Sequence, residues 1–560
     1  MSEHSEVPWW KRTTVYQIYV RSFADANGDG IGDLRGVLSK VDYLHDLGVE
    51  TIWLSPFFQS PLADFGYDIS DHFAIAPEYG KMSDFRELCR EVHARGMKIV
   101  LDMVLNHTSE RHAWFAESRS SRDARKRDWY IWRDGRRPSG KAPPNNWRSM
   151  LGGSGWRYDP PTDQWYYASF LSCQPDLNYR NPETKAAMLG VVRHWLEEGV
   201  DGLRLDIFNA IFKDESFADN PFSFRAVPSE ENPHGFFQRH EGTIDHPDTI
   251  AFARELRRVV DEFGDPPRFL VGEVVGDARL LRRYCGEAAD GLHLVFLFKT
   301  LRTRLTGPAM RRTIEEFERS FPDPFSPTYV LGNHDRPRFA HRARSDPEMA
   351  KLVATLQLTV LGVPFIYYGE EIGMENHDLP LHEGLDPVAI RFDFVPPRIV
   401  GWLRRRGILL NRDECRTPMQ WDAGPNAGFA PEAARPWLPV HPKSSTLNVE
   451  TESRDPRSIL NCYRQLLALR RQQPALQSGT LEWLDNPSLP NAVVAYRRVR
   501  EGAPEPSVEV FLNFSQREVG LDLSAQSRRQ LFSSRGCTRR EAPRTLRLAA
   551  HEGVVLFDPD

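Results

Sequence analysis

The sequence predicts an α/β fold: a (β/α)8 TIM barrel with a domain inserted after strand 3 and a C-terminal antiparallel β-sandwich. The first reason is that eight short, apolar, β-rich runs recur with helical patterns between many of them, and alternating strands and helices imply a parallel sheet. Eight such units close a barrel. The second reason is that short strand patterns replace helical ones beyond about residue 474. The eight runs span residues 15–21, 51–55, 98–103, 202–206, 268–273, 292–298, 328–331 and 364–368.

Two stretches between the first three runs have the spacing of an amphipathic helix. Their apolar residues lie three or four positions apart, which places them on one face of a helix. We therefore expect a helix in each stretch, packed against the sheet. These residues are Leu38, Val41, Leu44 and Leu47 in the first stretch and Phe85, Leu88 and Val92 in the second.

Long segments that break the alternation define the predicted domains. The segment after the third strand is rich in Trp, Arg, Pro and Gly. Loops of this length in a compact domain are usually functional or disordered, so we also expect a lid-like loop over residues 208–248. The predicted boundaries are 1–105 and 177–474 for the barrel, 106–176 for the inserted domain, 371–437 for a long loop or subdomain after the eighth strand, and 475–560 for the β-sandwich.

Composition and charge do not call for a nucleic acid or a membrane as partner. The net charge is −5 over 560 residues, and acidic and basic residues are interspersed. The cysteines form no CxxC pair, and so few in so long a chain indicate a reducing compartment. No apolar run approaches the roughly 20 residues of a membrane span. We expect a cytoplasmic monomer or homodimer. The cysteines are Cys89, Cys173, Cys285, Cys415, Cys462 and Cys537.

The fourth run carries the first candidate catalytic pair, Arg204 and Asp206. Side chains alternate across a strand, so these two residues share one face while Leu203 and Leu205 take the other. A carboxylate held beside a guanidinium stays ionised and can be aimed at a substrate. This is what a carboxylate nucleophile requires.

Polar residues also follow three other runs. His107 comes after the third run, Glu273 after the fifth, and His334 with Asp335 after the seventh. A barrel brings strand ends to one rim, although these residues are far apart along the chain. Acids, histidines and an arginine at one rim suit nucleophilic and acid/base chemistry on a neutral polar substrate.

These motifs resemble the signature regions of the α-amylase family of retaining glycoside hydrolases, glycoside hydrolase family 13, and the resemblance covers essentially the whole chain. Further motifs resemble the oligo-1,6-glucosidase and α-glucosidase branch, which removes or transfers single glucose units from short α-glucosides. The resemblance implies a small α-glucoside substrate, a sugar or alcohol acceptor and no organic cofactor. The branch motifs span residues 66–69, 174–178, 369–373 and 416–421.

The resemblance also implies a role for each residue. Asp206 is the expected nucleophile, Glu273 the general acid and then base, and Asp335 the group that binds sugar hydroxyls. The residues expected to contact or position the same glucose are Tyr67 as a flat platform, His107 and His334 as hydrogen-bond partners, and Arg204 as the cation beside Asp206.

The retaining mechanism requires the same two roles for the carboxyl groups. A retaining enzyme needs two carboxyl groups about 5–5.5 Å apart, one ionised and one protonated. Asp206 has Arg204 beside it to lower its pKa, whereas Glu273 has no cation within two residues, so desolvation is expected to raise its pKa. Asp102 is interpreted as scaffold rather than as a reactant.

Two features bear on specificity. In the resembling branch an aspartate three residues before the platform tyrosine pairs with an arginine after the eighth strand and closes the pocket behind the terminal glucose. Asp64 fits the first role, and Arg412 or Arg416 the second, with Arg412 favoured. A bulky Ile207 after the nucleophile favours α-1,6 over α-1,4 links by the same resemblance.

The loop over residues 25–33 is the candidate metal site. Oxygen-bearing side chains at alternate positions, with glycine between them, suit a hard cation, although a metal-free Asp-capped turn has the same pattern. In the resembling branch this loop binds structural Ca²⁺. The expected ligands are Asp25, Asn27, Asp29, the Ile31 carbonyl and Asp33.

The sequence and its resemblance thus predict an exo-acting retaining α-glucosidase. The alternatives within this chemistry are trehalose synthase, sucrose isomerase, sucrose hydrolase and trehalose-phosphate hydrolase, which differ in the loops on the leaving-group side. The alternative of another class is a non-enzymatic transporter-escort relative. Such relatives carry a membrane span and often lose catalytic acids, whereas this sequence has no span and keeps all three acids.

Overall fold

The computed structural model describes residues 7–136, 140–484, 489–500, 502, 507–523, 528–536 and 545–557. Cys537 and parts of the predicted domain 475–560 lie outside these residues. The five described cysteines are free thiols.

The strands of the described residues are numbered in chain order. They are β1 Val15–Ile18, β2 Thr51–Leu54, β3 Phe58–Gln59, β4 Asp71–Ile75, β5 Lys98–Val104, β6 Trp132–Arg133, β7 Trp156–Asp159, β8 Gln164–Tyr167, β9 Gly202–Asp206, β10 Phe269–Gly272, β11 Leu294–Val295, β12 Thr328–Val330, β13 Val363–Tyr367, β14 Thr480–Trp483, β15 Val493–Val499, β16 Ser507–Asn513, β17 Val519–Asp522, β18 Arg529–Ser533, β19 Thr545–Leu548 and β20 Gly553–Phe557.

The α-helices are numbered in the same way. They are α1 Trp9–Arg12, α2 Val20–Phe23, α3 Leu34–Ser39, α4 Val41–Leu47, α5 Met82–Ala94, α6 Ala113–Ser120, α7 Pro182–Glu197, α8 Pro247–Asp261, α9 Ala278–Tyr284, α10 Gly307–Ser320, α11 Phe339–Arg342, α12 Pro347–Thr359, α13 Pro387–Arg391, α14 Pro397–Arg404, α15 Val449–Arg454, α16 Ile459–Gln472 and α17 Pro474–Ser478. Short 3₁₀ turns occupy Arg127–Trp129, Phe208–Ala210, Phe298–Leu301, Glu370–Ile372, Leu381–Glu383, Arg412–Cys415, Pro425–Gly428 and Pro442–Ser445.

The eight-stranded sheet confirms the predicted fold class. Its strand order is β11-β10-β9-β5-β2-β1-β13-β12, and each of the eight apolar runs of the sequence contributes one strand. Alternating strands and helices with this many parallel strands make a (β/α)8 barrel. The first predicted helix is divided into α3 and α4 at Lys40, whereas the second is the single helix α5.

The chain divides into two compact units. The first unit comprises Met1–Ile52, Glu91–Met97 and Lys299–Asp560, and the second comprises Trp53–Arg90 and Lys98–Phe298.

In the second unit, β9 is the strand that positions the candidate nucleophile. It runs parallel to β5 on one side and to β10 on the other. Arg204 stands opposite Asp102 of β5 and opposite Val271 of β10. Apart from Asp206 at its end, every residue of β9 is buried. The strand is therefore held on both edges and points its last residue out of the core.

The segment between β5 and α7 carries the predicted insertion. It contains α6 and a three-stranded antiparallel sheet in the order β6-β8-β7. Four buried aromatic or aliphatic side chains, Ile131, Trp147, Trp156 and Tyr167, form its core. This segment thus has its own sheet and its own small core, as expected of an inserted domain.

In the first unit, β13 runs parallel to β1 and to β12. The chain after α17 forms antiparallel sheets, one in the order β14-β15-β16-β20-β18 and one of β17 and β19. Phe511 and Leu556 from the larger sheet share a buried apolar cluster with Leu521 and Leu548 from the smaller one. Two antiparallel sheets joined by such a core form the predicted β-sandwich. Within the described residues, no helix is long and apolar enough to cross a membrane.

Candidate active site

The second unit brings Arg204 and Asp206 into direct contact. Nη1 of Arg204 lies 2.8 Å from Oδ1 of Asp206. The Arg204 side chain is fully buried, whereas the Asp206 side chain keeps 15% of its surface exposed. The nucleophile candidate is therefore an accessible carboxylate fixed by a guanidinium that is itself removed from water.

The same guanidinium also binds Glu273, a contact that the sequence analysis did not foresee. Nη2 of Arg204 donates to Oε2 of Glu273, and the Glu273 side chain is 13% exposed. Glu273 lies one residue beyond β10, and β10 is the direct neighbour of β9. Adjacent nitrogens of one planar group thus hold both candidate catalytic acids, which fixes them at short range from each other.

Asp102 completes this arrangement from β5. Its Oδ1 lies 2.6 Å from Nη1 of Arg204, and its Oδ2 accepts a hydrogen bond of 3.1 Å from the Tyr67 hydroxyl. Burial raises the pKa of Asp102 to about 6, against the lowering effect of Arg204. Its contacts are those of a scaffold: Asp102 fixes the arginine and the hydroxyl end of the predicted platform tyrosine. We call Asp102, Arg204, Asp206 and Glu273 the Arg204 cluster.

His107 is buried beside Tyr67, and both of its ring nitrogens have protein partners. Nδ1 lies 3.2 Å from the side-chain nitrogen of Asn106, and Nε2 lies 3.1 Å from the Tyr67 carbonyl. Burial lowers the pKa of His107. In this arrangement Nδ1 accepts from Asn106 and Nε2–H donates to Tyr67, so a bond from His107 to glucose, which stays a prediction, requires exchange of one partner.

Asp64 is held within the second unit by Gln174. The Gln174 amide donates to Oδ2 of Asp64 at 3.0 Å. The backbone N–H of Asp64 donates to Oδ1 of buried Asp68 at 2.9 Å, which orders the turn before Tyr67. The pairing of Asp64 with an arginine stays a prediction.

The first unit gathers both candidate arginines around Asp335. Oδ1 of Asp335 lies 2.7 Å from Nη2 of Arg416 and 3.2 Å from Nη1 of Arg412. Burial alone would raise the pKa of Asp335, but His334, Arg412 and Arg416 outweigh it and hold the pKa well below its usual value. Asp335 is therefore an ionised hydrogen-bond acceptor, which is the form suited to binding sugar hydroxyls.

His334 is fixed by three groups of the first unit. Its Nδ1 lies 2.7 Å from the Gln17 amide nitrogen, its Nε2 lies 3.3 Å from Oδ2 of Asp335, and its ring stacks on Tyr19 with centroids 6.0 Å apart. Gln17 was absent from the candidates, although it lies on β1 between two apolar neighbours.

Arg412 has a second carboxylate partner that the sequence analysis missed. Nη2 of Arg412 lies 2.7 Å from Oδ1 of Asp386, and Nε lies 3.0 Å from the same atom. Asp386 is fully buried, and Arg412 lowers its pKa in opposition to burial. Asp386 directly precedes Pro387, the first residue of α13, and caps that helix. An Asp before a Pro is a helix-start signal, so its cap was detectable but its ion pair was not. We call Asp335, Asp386, Arg412 and Arg416 the Asp335 cluster.

Lys213 is a second residue that sequence reasoning missed. Its Nζ lies 2.5 Å from Oδ2 of Asp176 and 2.8 Å from Oδ1 of Asn106. The Lys213 side chain is 2% exposed and that of Asp176 is fully buried. The pair connects the long loop after β9 to the end of the inserted domain and to the residue beside His107. The available signal was a lone lysine at the end of an apolar run.

The candidate metal loop has the donor chemistry of a hard cation but folds onto its own backbone. Carboxylate oxygens of Asp25 and Asp33 each accept backbone N–H bonds of 2.6–3.1 Å, and Oδ1 of Asp29 accepts from the Ile31 N–H at 2.8 Å. Oδ1 of Asn27 accepts from the Asp29 N–H. Across the part of the chain that the structure describes, no three His, Cys, Asp or Glu side chains form a metal-binding group. The oxygen-only donor set fits calcium, whose binding here stays a prediction.

Comparisons with known proteins identify the family of this chain. Residues 17–479 match the alpha-amylase family, described as "Alpha amylase, catalytic domain". A probable alpha-glucosidase of Rhizobium meliloti is 40% identical over 493 residues, which cover 85% of each chain. An oligo-1,6-glucosidase of Parageobacillus thermoglucosidasius is 36% identical over 537 residues, which cover 91% of each chain.

Solved structures extend the similarity to nearly the whole chain. The alpha-glucosyl transfer enzyme XgtA superposes with a TM-score of 0.86 at 36% identity, covering 98% of this chain and 99% of its own. The trehalulose synthase MutB from Pseudomonas mesoacidophila MX-45 superposes with a TM-score of 0.85 at 32% identity and the same coverage.

The fold and the Arg204 cluster define a (β/α)8 enzyme with paired carboxylates. The chain belongs to the alpha-amylase family, glycoside hydrolase family 13. It is an enzyme whose curated relatives are named alpha-glucosidase and oligo-1,6-glucosidase.

Proposed function

We propose that this enzyme is an exo-acting, retaining α-glucosidase that takes terminal glucose from short α-glucosides and passes it to water or to a sugar or alcohol acceptor. The observation that carries the proposal is the guanidinium of Arg204, which binds both Asp206 and Glu273. Two acids held this close together favour double displacement, since an inverting enzyme needs a wider gap to admit water between them.

In the first step, an oxygen of Asp206 attacks the anomeric carbon, and the bond from that carbon to the glycosidic oxygen breaks. Glu273 gives its proton to the departing oxygen. Asp206 is suited to attack because it is fixed by Arg204 yet remains partly exposed at the strand end. The products of this step are a glucosyl ester on Asp206, the free leaving group and an ionised Glu273.

In the second step, a water or acceptor hydroxyl attacks the same carbon. The Glu273 carboxylate removes its proton, the ester bond to Asp206 breaks, and both acids return to their starting forms. Two inversions give net retention. Whether water or a sugar or alcohol hydroxyl reacts depends on the loops on the leaving-group side of the site, which differ among relatives.

Asp335 is proposed to bind the hydroxyls of the glucose ring. Its carboxylate is ionised because His334, Arg412 and Arg416 surround it, and an ionised acceptor strengthens hydrogen bonds as the sugar gains positive charge. The proposal further assigns glucose contacts to Tyr67 and to His334. Closure behind the terminal glucose by Asp64 and Arg412 would account for exo action.

Turnover by two variants tests the assignment. We expect Asp206→Ala and Glu273→Gln each to lower kcat on maltose by several orders of magnitude, because each removes a reacting group. The leaving group separates the two roles. An aryl glucoside with a good leaving group needs no proton from Glu273, so it should rescue the first step in Glu273→Gln but not in Asp206→Ala.

Product analysis tests the stereochemistry and the specificity. Proton NMR of the first product should show α-glucose, and β-glucose as first product would refute the retaining mechanism. Internal cleavage of long starch would refute exo action. Maltose, isomaltose, sucrose, trehalose and a glucosylated small alcohol are the substrates to compare, with α-1,6 links expected to be preferred.

Isomerisation is the second candidate function, and structural neighbours favour it. One structure of MutB, a trehalulose synthase, holds the substrate sucrose in a mutant, with a TM-score of 0.85 to this chain at 32% identity. An isomerase keeps the released sugar and attaches glucose to another of its hydroxyls. Sucrose converted to an isomeric disaccharide, with little free glucose, would support this function instead.

Two further assignments belong to the proposal. A structural calcium ion is proposed for the loop over residues 25–33, where the donors are all oxygens. None of the steps above uses it. A cytoplasmic location is proposed from the small number of cysteines and their lack of pairing.

A further inference from the structure

Ile207, the residue after the proposed nucleophile, has an unusual backbone conformation. Its φ is 37° and its ψ is 48°, which lie in the left-handed region. A β-branched residue is an outlier in this region because its side chain crowds the backbone. Such conformations persist only where the surrounding structure enforces them, and they cluster at functional sites.

Backbone hydrogen bonds show what enforces this conformation. Along the parallel pair of β9 and β10, the N–H of Phe269 donates to the Asp201 carbonyl, and the N–H of Glu273 donates to the Leu205 carbonyl at 2.8 Å. A regular ladder would next have Ile207 donate to the Glu273 carbonyl. Instead, Phe208 donates to it at 2.8 Å. One extra residue is therefore inserted after Asp206, as in a β-bulge.

The residues beyond the bulge are firmly packed. Phe208 is fully buried, with its ring stacked on Phe252 at a centroid distance of 6.0 Å and edge-on to Tyr284 at 6.2 Å. The side chain of Asn209 lies 3.2 Å from Oδ1 of Asp245. The chain after Ile207 is therefore anchored independently of the bulge, which leaves Ile207 to absorb the extra residue.

We infer that Ile207 is a positioning residue whose left-handed backbone aims the Asp206 carboxylate relative to Glu273. The bulge joins the two acids through the main chain, since Glu273 donates to the residue before Asp206 and accepts from the residue after Ile207. The inference rests on the proposed function, which makes Asp206 the nucleophile and Glu273 the acid/base. This backbone role is separate from any contact between the Ile207 side chain and the substrate.

A comparison of Ile207→Gly with Ile207→Ala isolates the backbone role. Both variants lose the side chain beyond Cβ, but glycine also admits backbone angles around the left-handed region that a Cβ excludes, which loosens the aim of Asp206. We expect kcat of Ile207→Gly to be about 10- to 100-fold below that of Ile207→Ala, the usual effect of a small misplacement at a reacting centre. The loss should be equal on maltose and isomaltose, with KM within about twofold.

The melting temperature, compared with kcat, separates a positioning role from a merely structural one, because a merely structural role would make the more stable variant the more active one. Alanine in the left-handed region is strained and glycine is not, so Ile207→Gly should melt above Ile207→Ala. A more stable yet slower variant is the expected result. A shift in the ratio of maltose to isomaltose turnover, shared by both variants, would report the side chain alone.

Equal kcat in the two variants would overturn the inference, and so would a lower melting temperature for Ile207→Gly. Failure of the proposed function is recognised separately, because Asp206→Ala would then keep its activity whatever the Ile207 variants do.

Discussion

Lys213→Met tests whether the buried ion pair between Lys213 and Asp176 stabilises the second unit. Both side chains are essentially buried, with Nζ and Oδ2 at 2.5 Å. Removing one partner of a buried pair typically costs about 3–5 kcal/mol, because the remaining charge has no counter-ion. Two bonds from Ser169 to Asp176 remain in the variant, one from the backbone N–H at 2.8 Å and one from the hydroxyl at 2.5 Å, which favours the lower end.

The expected change in melting temperature follows from chain length. An unfolding entropy of about 2.1 cal/mol/K per residue over 560 residues gives roughly 1.2 kcal/mol/K. A loss of about 3–5 kcal/mol then lowers the melting temperature by about 2.5–4 °C. Differential scanning calorimetry at one scan rate measures it, and proteolysis of the loop over residues 208–248 reports local opening.

Two further variants make the result decisive. Lys185→Met is the matched control, because its pair with Glu255 is also a direct lysine–carboxylate contact, at 2.9 Å, but both side chains are 32% exposed. Exposed pairs contribute about 0–1 kcal/mol, so this variant should melt within about 1 °C of the parent. In the double variant Lys213→Met/Asp176→Asn, no charge is left unpaired, and it should recover part of the loss. Equal melting of the two lysine variants, or a double variant that melts no higher than Lys213→Met, would refute the reasoning.

Three other predictions concern charge and metal. Burial raises the pKa of Glu370 to about 8 in the folded protein, whereas the pKa of a glutamate in an unfolded chain is roughly 4.3. Protonated Glu370 therefore stabilises the fold fully below about pH 4.3, and this stabilisation is lost as the pH rises to about 8. The melting-temperature advantage of Glu370→Gln over the parent should therefore grow between pH 5 and pH 8, and a constant difference would contradict this. Asp386→Asn removes the charge that holds Arg412, so Arg412 should no longer fix Asp335 and KM should rise about tenfold. The control is Asp393→Asn, at an exposed residue seven positions further along the chain, which should leave KM unchanged. Calcium bound in the loop over residues 25–33 should make the melting temperature fall on chelation and recover when calcium is added back. Asp29→Asn should abolish this dependence on calcium. An unchanged melting temperature after chelation, with no metal found by elemental analysis, would refute the proposed calcium site.

Local sequence patterns were enough to predict the strands that bear the candidate catalytic acids. The run 202–206 was predicted to its ends, because alternation and burial are properties of neighbouring residues. The run 292–298 became a strand of only Leu294–Val295, followed by the 3₁₀ turn Phe298–Leu301. Apolar character shows that such a run is buried, but it does not show where the ladder of backbone hydrogen bonds ends.

Contacts between distant residues were beyond the sequence. The pairs of Arg412 with Asp386 and of Lys213 with Asp176 join residues 26 and 37 positions apart, across loops whose path no periodicity describes. The bulge at Ile207 was equally hidden, since its cause is a backbone register set by β10. In each case the residue type was visible and its partner was not.

The shared guanidinium changes how the two acids are told apart. From the sequence, Asp206 had a cation and Glu273 had none, and this difference explained why one is ionised and the other protonated. In the structure Arg204 binds both, so the presence of a cation no longer separates their roles. What differs is the nitrogen each uses: Nη1 is shared by Asp206 and Asp102, whereas Nη2 serves Glu273. A lysine offers a single point of charge and no such fork. The arginine therefore acts as a rigid spacer between the two carboxylates.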